Sequence, residues 1–210
     1  MLIQGQVGPL TTITSVSPGV QAPVRQGNMG EIVVSEYGAK YSEATYRRQC
    51  YSIASQAATG VTTSIALSTT FIGLGICNPA ASTVNAHVLT HGWGFTVAPA
   101  APLIYGLMSG TGTFPSTLTP RNRYIGGPTG FVYATLGGTI TAATGPFVEQ
   151  ILGMNTTQLS IAGHMGQPNT VIDIGGGIIL PPNSFLCTYT NIAGGASGLF
   201  ASFTWAEIPI

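Results

Sequence analysis

Very few side chains in this sequence could do chemistry. His87 and His91 form an H-x-x-x-H pair within HVLTHGWGF. On a helix that spacing sets both imidazoles on one side, close enough to share a metal ion. On a strand the same step spans about 13 Å, too far for one ion, and the two glycines of the segment disfavour a helix. The pair therefore reads as two histidines on a partly buried strand face near Trp93. His164, in IAGHMGQPN, falls in a turn with no evident ligand partners. Glu149, Asp173 and Glu207 are scattered, and nothing brings two of them together as glycoside hydrolysis requires. Gly175–Gly177 reads as a turn or bulge, because no strand–glycine–helix order surrounds it. The sequence contains no G-x-S-x-G elbow, no H-E-x-x-H and no P-loop. No catalytic residue, metal ligand or cofactor is expected, and the chain reads as a non-enzyme.

The charges point to a different kind of function. The chain carries six basic and six acidic residues, and Arg25, Glu31, Glu36, Lys40, Glu43, Arg47 and Arg48 all lie between positions 25 and 48. Acid and base are interleaved, which suits complementary pairing between subunits better than a uniform field. Tyr37, Tyr41 and Tyr46 are interspersed among them, and Tyr with Arg is enriched at interface hot spots. The competing reading is one solvated face that keeps the protein soluble. Arg121 and Arg123, in LTPRNRYIGG, are placed on a loop introduced by Pro120. There a planar guanidinium can meet a carboxylate of another subunit in two parallel hydrogen bonds, or simply be solvated.

Charged residues make up 6% of the chain and the formal net charge is zero, against roughly 25% charged in an ordinary soluble domain. A neutral, charge-poor surface favours association. No basic field is available to neutralise a run of phosphates, so nucleic-acid binding is not expected. Residues 49–120 contain no Asp, Glu, Lys or Arg, yet Thr, Ser, Gly and Pro break every apolar run, so no membrane span is expected. The N-terminal residues show no basic region before an apolar core, so no signal peptide is evident. Cys50, Cys77 and Cys187 match no metal-ligand spacing and read as small buried hydrophobes in a protein assembled in a reducing cytoplasm.

These residues must be positioned by strands. Gly and Pro punctuate the chain throughout, and the runs between them are rich in Val, Ile, Thr, Phe and Tyr, the pattern of strands separated by turns. Period-2 alternation sets His87, Leu89, His91, Trp93, Phe95 and Val97 on one face. It likewise groups Leu199, Ala201, Phe203 and Trp205, and Phe185, Cys187 and Tyr189. In VTTSIALSTTFIGLGI the apolar positions change phase, which implies a bulge or a strand crossing between sheets. GGGIILPPNSFLCTYT reads as two strands joined by a Pro-Pro-Asn-Ser turn, and Ser42 with Glu43 can start a short helix. The last strand is expected to close the sheet. The expected class is all-β: an antiparallel β-sandwich, jelly-roll-like, of about ten strands. Residues 1–30 form an extended N-terminal arm and 31–210 a single sandwich domain.

The segments GEIVVSEYGAKYSEATYR, FIGLGICNPAASTVN, LTPRN and LPPNSF together resemble phage-encoded virion structural proteins. Those are β-rich, jelly-roll-like subunits of the capsid-decorating or otherwise self-assembling kind. The resemblance implies assembly and carries no catalytic residues. The expected partners are copies of the chain itself, in trimers or larger arrays, and other virion proteins such as a major capsid protein. The expected location is the virion, assembled in the host cytoplasm. Two alternatives are a non-viral extracellular filament or surface-layer subunit, and a carbohydrate-binding sandwich of a phage fibre. The cue for the latter is exposed aromatics, with Trp93 and Tyr105 as the first candidates.

Overall fold

The short Val-, Ile-, Thr- and Phe-rich runs become strands in the computed structural model. It describes residues 5–6, 24–25, 40–56, 67–96, 99, 101–142, 145–155, 170–194 and 198–210. In chain order the elements are β1 (Gly5–Gln6), β2 (Val24–Arg25), α1 (Ser42–Tyr46), β3 (Cys50–Ala54), β4 (Thr70–Asn78), β5 (Val84–Phe95) and β6 (Leu103–Thr113). They continue with β7 (Arg121–Asn122), β8 (Tyr133–Thr139), β9 (Thr141–Ala142), β10 (Phe147–Asn155), β11 (Thr170–Leu180), β12 (Ser184–Thr190) and β13 (Leu199–Pro209). The chain divides into two units, Met1–Ser42 and Glu43–Ile210. In the first, β1 and β2 pair in parallel. The rest of the expected N-terminal arm, and the expected boundary at residue 30, lie outside the described residues.

The second unit is a jelly roll. β3 pairs with β13, β4 with β12, β5 with β11 and β6 with β10, all antiparallel. The first four strands and the last four thus form one long two-stranded ribbon. Rolling that ribbon sends successive strands to opposite sheets. Pairing of β13 with β5 and of β12 with β6 then completes the sheets β11-β5-β13-β3-β7 and β10-β6-β12-β4-β8. The residues between β6 and β10 add β7 at one margin of the first sheet and β8 at the same margin of the second. The last strand does not close a sheet at its edge: it lies between β5 and β3.

The core between the sheets holds Leu74, Ile76, Val88, Leu103, Tyr105, Leu107, Leu186, Phe203 and Trp205, all of them buried. Fully burying one aliphatic side chain of this size contributes about 1.5–3 kcal/mol. A second cluster, Phe71, Cys77, Met108, Phe114, Ile140, Phe185 and Cys187, is also buried. The sheet containing β4 and β12 is therefore covered on both faces. That explains the change of phase in the sequence: Leu74 and Ile76 join the first cluster, whereas Phe71 and Cys77 join the second. β4 stays in one sheet, and its register with β8 slips by one residue between Ile72 and Gly75. At Gly75 a Cβ would stand 2.7 Å from Cys187 Sγ and 2.9 Å from the Phe71 ring, so a larger residue would have to displace this buried cluster. Asn78 ties the end of this strand to its neighbours, donating to Val84 O at 2.8 Å and Leu180 O at 2.9 Å.

The other alternations hold in part. Leu199, Ala201, Phe203 and Trp205 share the inner face, and Phe185 and Cys187 lie in the outer cluster with Tyr189 packed against it. On β5, His91, Trp93 and Phe95 point inward as expected. His87 does not: β5 has an extra residue where Thr204 pairs with Thr90 and Trp205 with Val88. Leu89 is that residue, and the bulge returns Ala86 and Val88 to the core and turns His87 outward. Val97 lies outside the described residues. Gly175–Gly177 is a bulge, as the sequence suggested: between the pairs Asp173–Thr90 and Ile178–Val88, the four residues 174–177 of β11 oppose Leu89 alone on β5. The Pro181–Asn183 turn joins β11 to β12 but passes from one sheet to the other.

Candidate assembly surface

One margin of the sandwich gathers the arginines. α1 ends in a Schellman motif, with Arg48 N donating to Thr45 O at 2.9 Å and Gln49 N to Ala44 O at 3.0 Å. Arg48 takes the left-handed position at φ 61°, where glycine is the usual occupant. The Asn122 side chain fastens this end of α1 to β7, its Nδ2 donating to Arg48 O at 2.6 Å while its Oδ1 accepts from Tyr124 N at 2.8 Å. The Arg48 guanidinium then lies 5.0 Å from the centre of the Tyr124 ring. Arg121 stands opposite Ser52 on β7. Arg123 reaches over the sheet, its backbone N donating to Cys50 O at 2.8 Å and its Nη1 to Thr204 Oγ1 at 3.3 Å. Arg121 and Arg123 line a cleft of about 450 Å³ with Ser52, Gln56, Thr119 and Thr204. A second cleft of about 530 Å³ lies beside it, walled by Pro120, Arg121, Ile125 and Pro128. Tyr46 and Ile125 are exposed here, Ile125 at 95%.

This margin is closed from within. Leu118 bridges to Ala134 of β8, and three residues later Arg121 pairs with β3, so one short segment spans both sheets. Below it Glu207, buried, accepts from Phe131 N at 2.9 Å, Val132 N at 3.1 Å and Trp205 Nε1 at 3.3 Å. A Cβ on Gly130 would collide with that carboxylate. Glu207 is therefore a structural clamp and not a candidate acid.

The opposite margin, formed by β10 and β11, differs in character. Phe147, Val148, Ile151 and Met154 on β10 and Val171 and Ile179 on β11 are exposed. So are Glu149 and Asp173; Glu149 accepts from Ser109 Oγ. β10 slips register against β6 twice, at Val148/Gln150 and Ile151/Gly153, and β11 carries its glycine bulge. Bulged edges resist continuous strand addition, so a partner here would meet side chains.

Of the residues singled out by sequence, the structure brings together Arg48, Arg121 and Arg123. Tyr46 and Arg47 are exposed on and just after α1. Lys40 lies with its Nζ 5.1 Å from the Tyr41 ring centre, in the first unit. Arg25 falls in β2 and Glu43 in α1, without described side chains; Glu31, Glu36 and Tyr37 lie outside the described residues, as does His164. The apolar β10 margin escaped the sequence reading, although its one signal is there: FVEQILGMN alternates poorly, as a bulged edge strand should.

His91 and the three cysteines are buried. His91 is fully buried between Phe203 and Tyr105, with Nε2 2.7 Å from Tyr105 Oη. Burial drives its pKa down from 6.5 to about 3, keeping the ring neutral. Burial also pushes the Cys50, Cys77 and Cys187 thiols up, so none offers a thiolate. Of the two aromatics singled out for sugar binding, Tyr105 is buried, whereas Trp93 is half-buried, stacks on Tyr105 at 5.0 Å between ring centres and lines a cleft of about 460 Å³ with Phe95, Val171 and Phe200. Among the described residues no group of three His, Cys, Asp or Glu could hold a metal, and no helix is long and apolar enough to cross a membrane.

Fold and surface together define an antiparallel jelly-roll sandwich with one basic, internally closed margin and one apolar, acidic margin. No family model, curated protein or solved structure matches the chain.

Proposed function

We propose that the protein is a self-assembling structural subunit of a virion, of the capsid-decorating or capsid-associated kind. It acts by packing against copies of itself and against other virion proteins such as a major capsid protein. The observation that supports this reading is the margin of β10, where Phe147, Val148, Ile151 and Met154 stand exposed on one edge strand. Several large apolar side chains exposed along one strand are a mark of interaction sites, and sheet edges are where natural proteins normally place charge. This chain places few charges anywhere. Jelly rolls build viral capsids but also lectins and cupins, so the topology contributes by analogy only.

A lasting interface removes about 1,200–2,000 Å² of surface. Light-scattering mass measurement and negative-stain microscopy of purified protein test the reading: trimers or larger arrays are expected. The Arg47→Ala/Arg48→Ala variant should keep its circular dichroism spectrum and assemble poorly. A chain that stays monomeric at high concentration and docks on no particle overturns the proposal.

A further inference from the structure

Charge in the unit Glu43–Ile210 is segregated between its two margins. All four of its arginines, Arg47, Arg48, Arg121 and Arg123, lie at the β7 side. On that side the sequence supplies one acid besides the buried Glu207, namely Glu43 on α1. The other two acids, Glu149 and Asp173, are exposed on β10 and β11 at the far side. Each margin also exposes apolar side chains, Tyr46 and Ile125 on one and Phe147 and Ile151 on the other.

We infer that the basic margin of one copy receives the acidic, apolar β10–β11 margin of a second copy, head to tail. This rests on the self-assembly proposed above and specifies its contact. Two like margins meeting across a two-fold axis would oppose arginine to arginine, or carboxylate to carboxylate, and like charges across an interface weigh against association. The heterologous arrangement pairs opposite signs and lets apolar groups of both margins share one contact. The two clefts beside Arg121, of about 450 and 530 Å³, give the projecting side chains of β10 a concave seat. The bulges on β10 and β11 direct recognition to side chains instead of to a continued sheet. Head-to-tail contacts close into a ring when the rotation per copy divides the circle and run on as an open row when it does not.

Charge-swap complementation is the test. One variant carries Arg48→Glu with Arg121→Glu, sparing the Arg123–Thr204 bond; the other carries Glu149→Lys with Asp173→Lys. Circular dichroism checks that each folds, and analytical ultracentrifugation reads association. Each variant alone should associate at least tenfold more weakly than wild type, and an equimolar mixture should recover association between unlike copies, in alternating dimers, even rings or rows, because swapped margins meet swapped margins and native meet native. If wild type assembles and the arginine variant assembles equally well, or the mixture recovers nothing, this contact is wrong while self-assembly stands. A monomeric wild type removes both. Should a variant misfold, oxidised Arg121→Cys/Glu149→Cys protein decides: a ladder of dimers, trimers and higher species supports the contact. Absence of a ladder, or dimers from Glu149→Cys alone, overturns it.

Discussion

The two margins of the sandwich solve the edge problem in opposite ways. At the β7–β8 margin the chain covers its own edges: residues 118–121 span both sheets, and Glu207 gathers the backbone of Phe131 and Val132. These backbone groups find their partners within one molecule, and the arginines sit on top of them. At the β10–β11 margin nothing comparable is described; bulges distort the edges and apolar side chains stand out. The difference teaches where stability and association are separable. Substitutions in the internal closure of the β7–β8 margin should damage folding, whereas those of the arginines on top of it, or of the open margin, should damage contact with other molecules.

The largest effect should come from Glu207→Ala. It leaves two backbone N–H groups and the Trp205 indole without their acceptor, at about 1–3 kcal/mol for each buried group that finds no substitute. Thermal melts should fall by roughly 10 °C. A melt within about 2 °C of wild type would erase the contrast between the margins.

Acid titration sharpens it next, because both margins rest on a core containing neutral His91. The folded ring has its pKa lowered to about 3 while the unfolded ring titrates near 6.5. Below pH 6.5 the unfolded chain therefore binds a proton that the folded chain refuses. His91 leaves stability intact above that pH and removes about 1.4 kcal/mol per pH unit on the way down to about 3. Urea denaturation from pH 7 to 4.5 should show this slope, and His91→Phe should flatten it.

At the open margin, Ile151→Lys should shift stability by about 0.5 kcal/mol or less yet reduce assembly severely, as read by sedimentation. Loss of stability in step with loss of assembly would show that β10 is structural after all. The smallest effect is expected for Arg48→Gly. Relief of a left-handed non-glycine residue favours the variant, loss of the contact with Tyr124 opposes it at about 0.5–1 kcal/mol, and a net gain of about 0.5 kcal/mol should remain. Chemical denaturation resolves the sign, and assembly should weaken all the same.

Strand character was legible because it is local. A β-branched or aromatic run bounded by Gly and Pro has one good solution, and alternation on β12 and β13 states which residues share a face. The helix start at Ser42 and the bulge at Gly175–Gly177 were legible for the same reason. The flip at Leu89 was not, since a bulge is a mismatch between two strands and appears only when Thr90 and Val88 find Thr204 and Trp205. The sequence set Arg48 and Arg121 apart by dozens of residues, and pairing of β7 with β3 put them on one margin.

By itself the sequence determined the all-β class and the scarcity of charge, because composition and short-range pattern settle these without reference to distant residues. Only the tertiary structure decided that the strands roll as one ribbon, that Glu207 is a clamp, that His91 is sealed in, and that Arg48, Arg121 and Arg123 lie at the margin opposite Glu149 and Asp173. Each of these depends on which distant segments pair, and that choice is made by burying all the apolar faces at once.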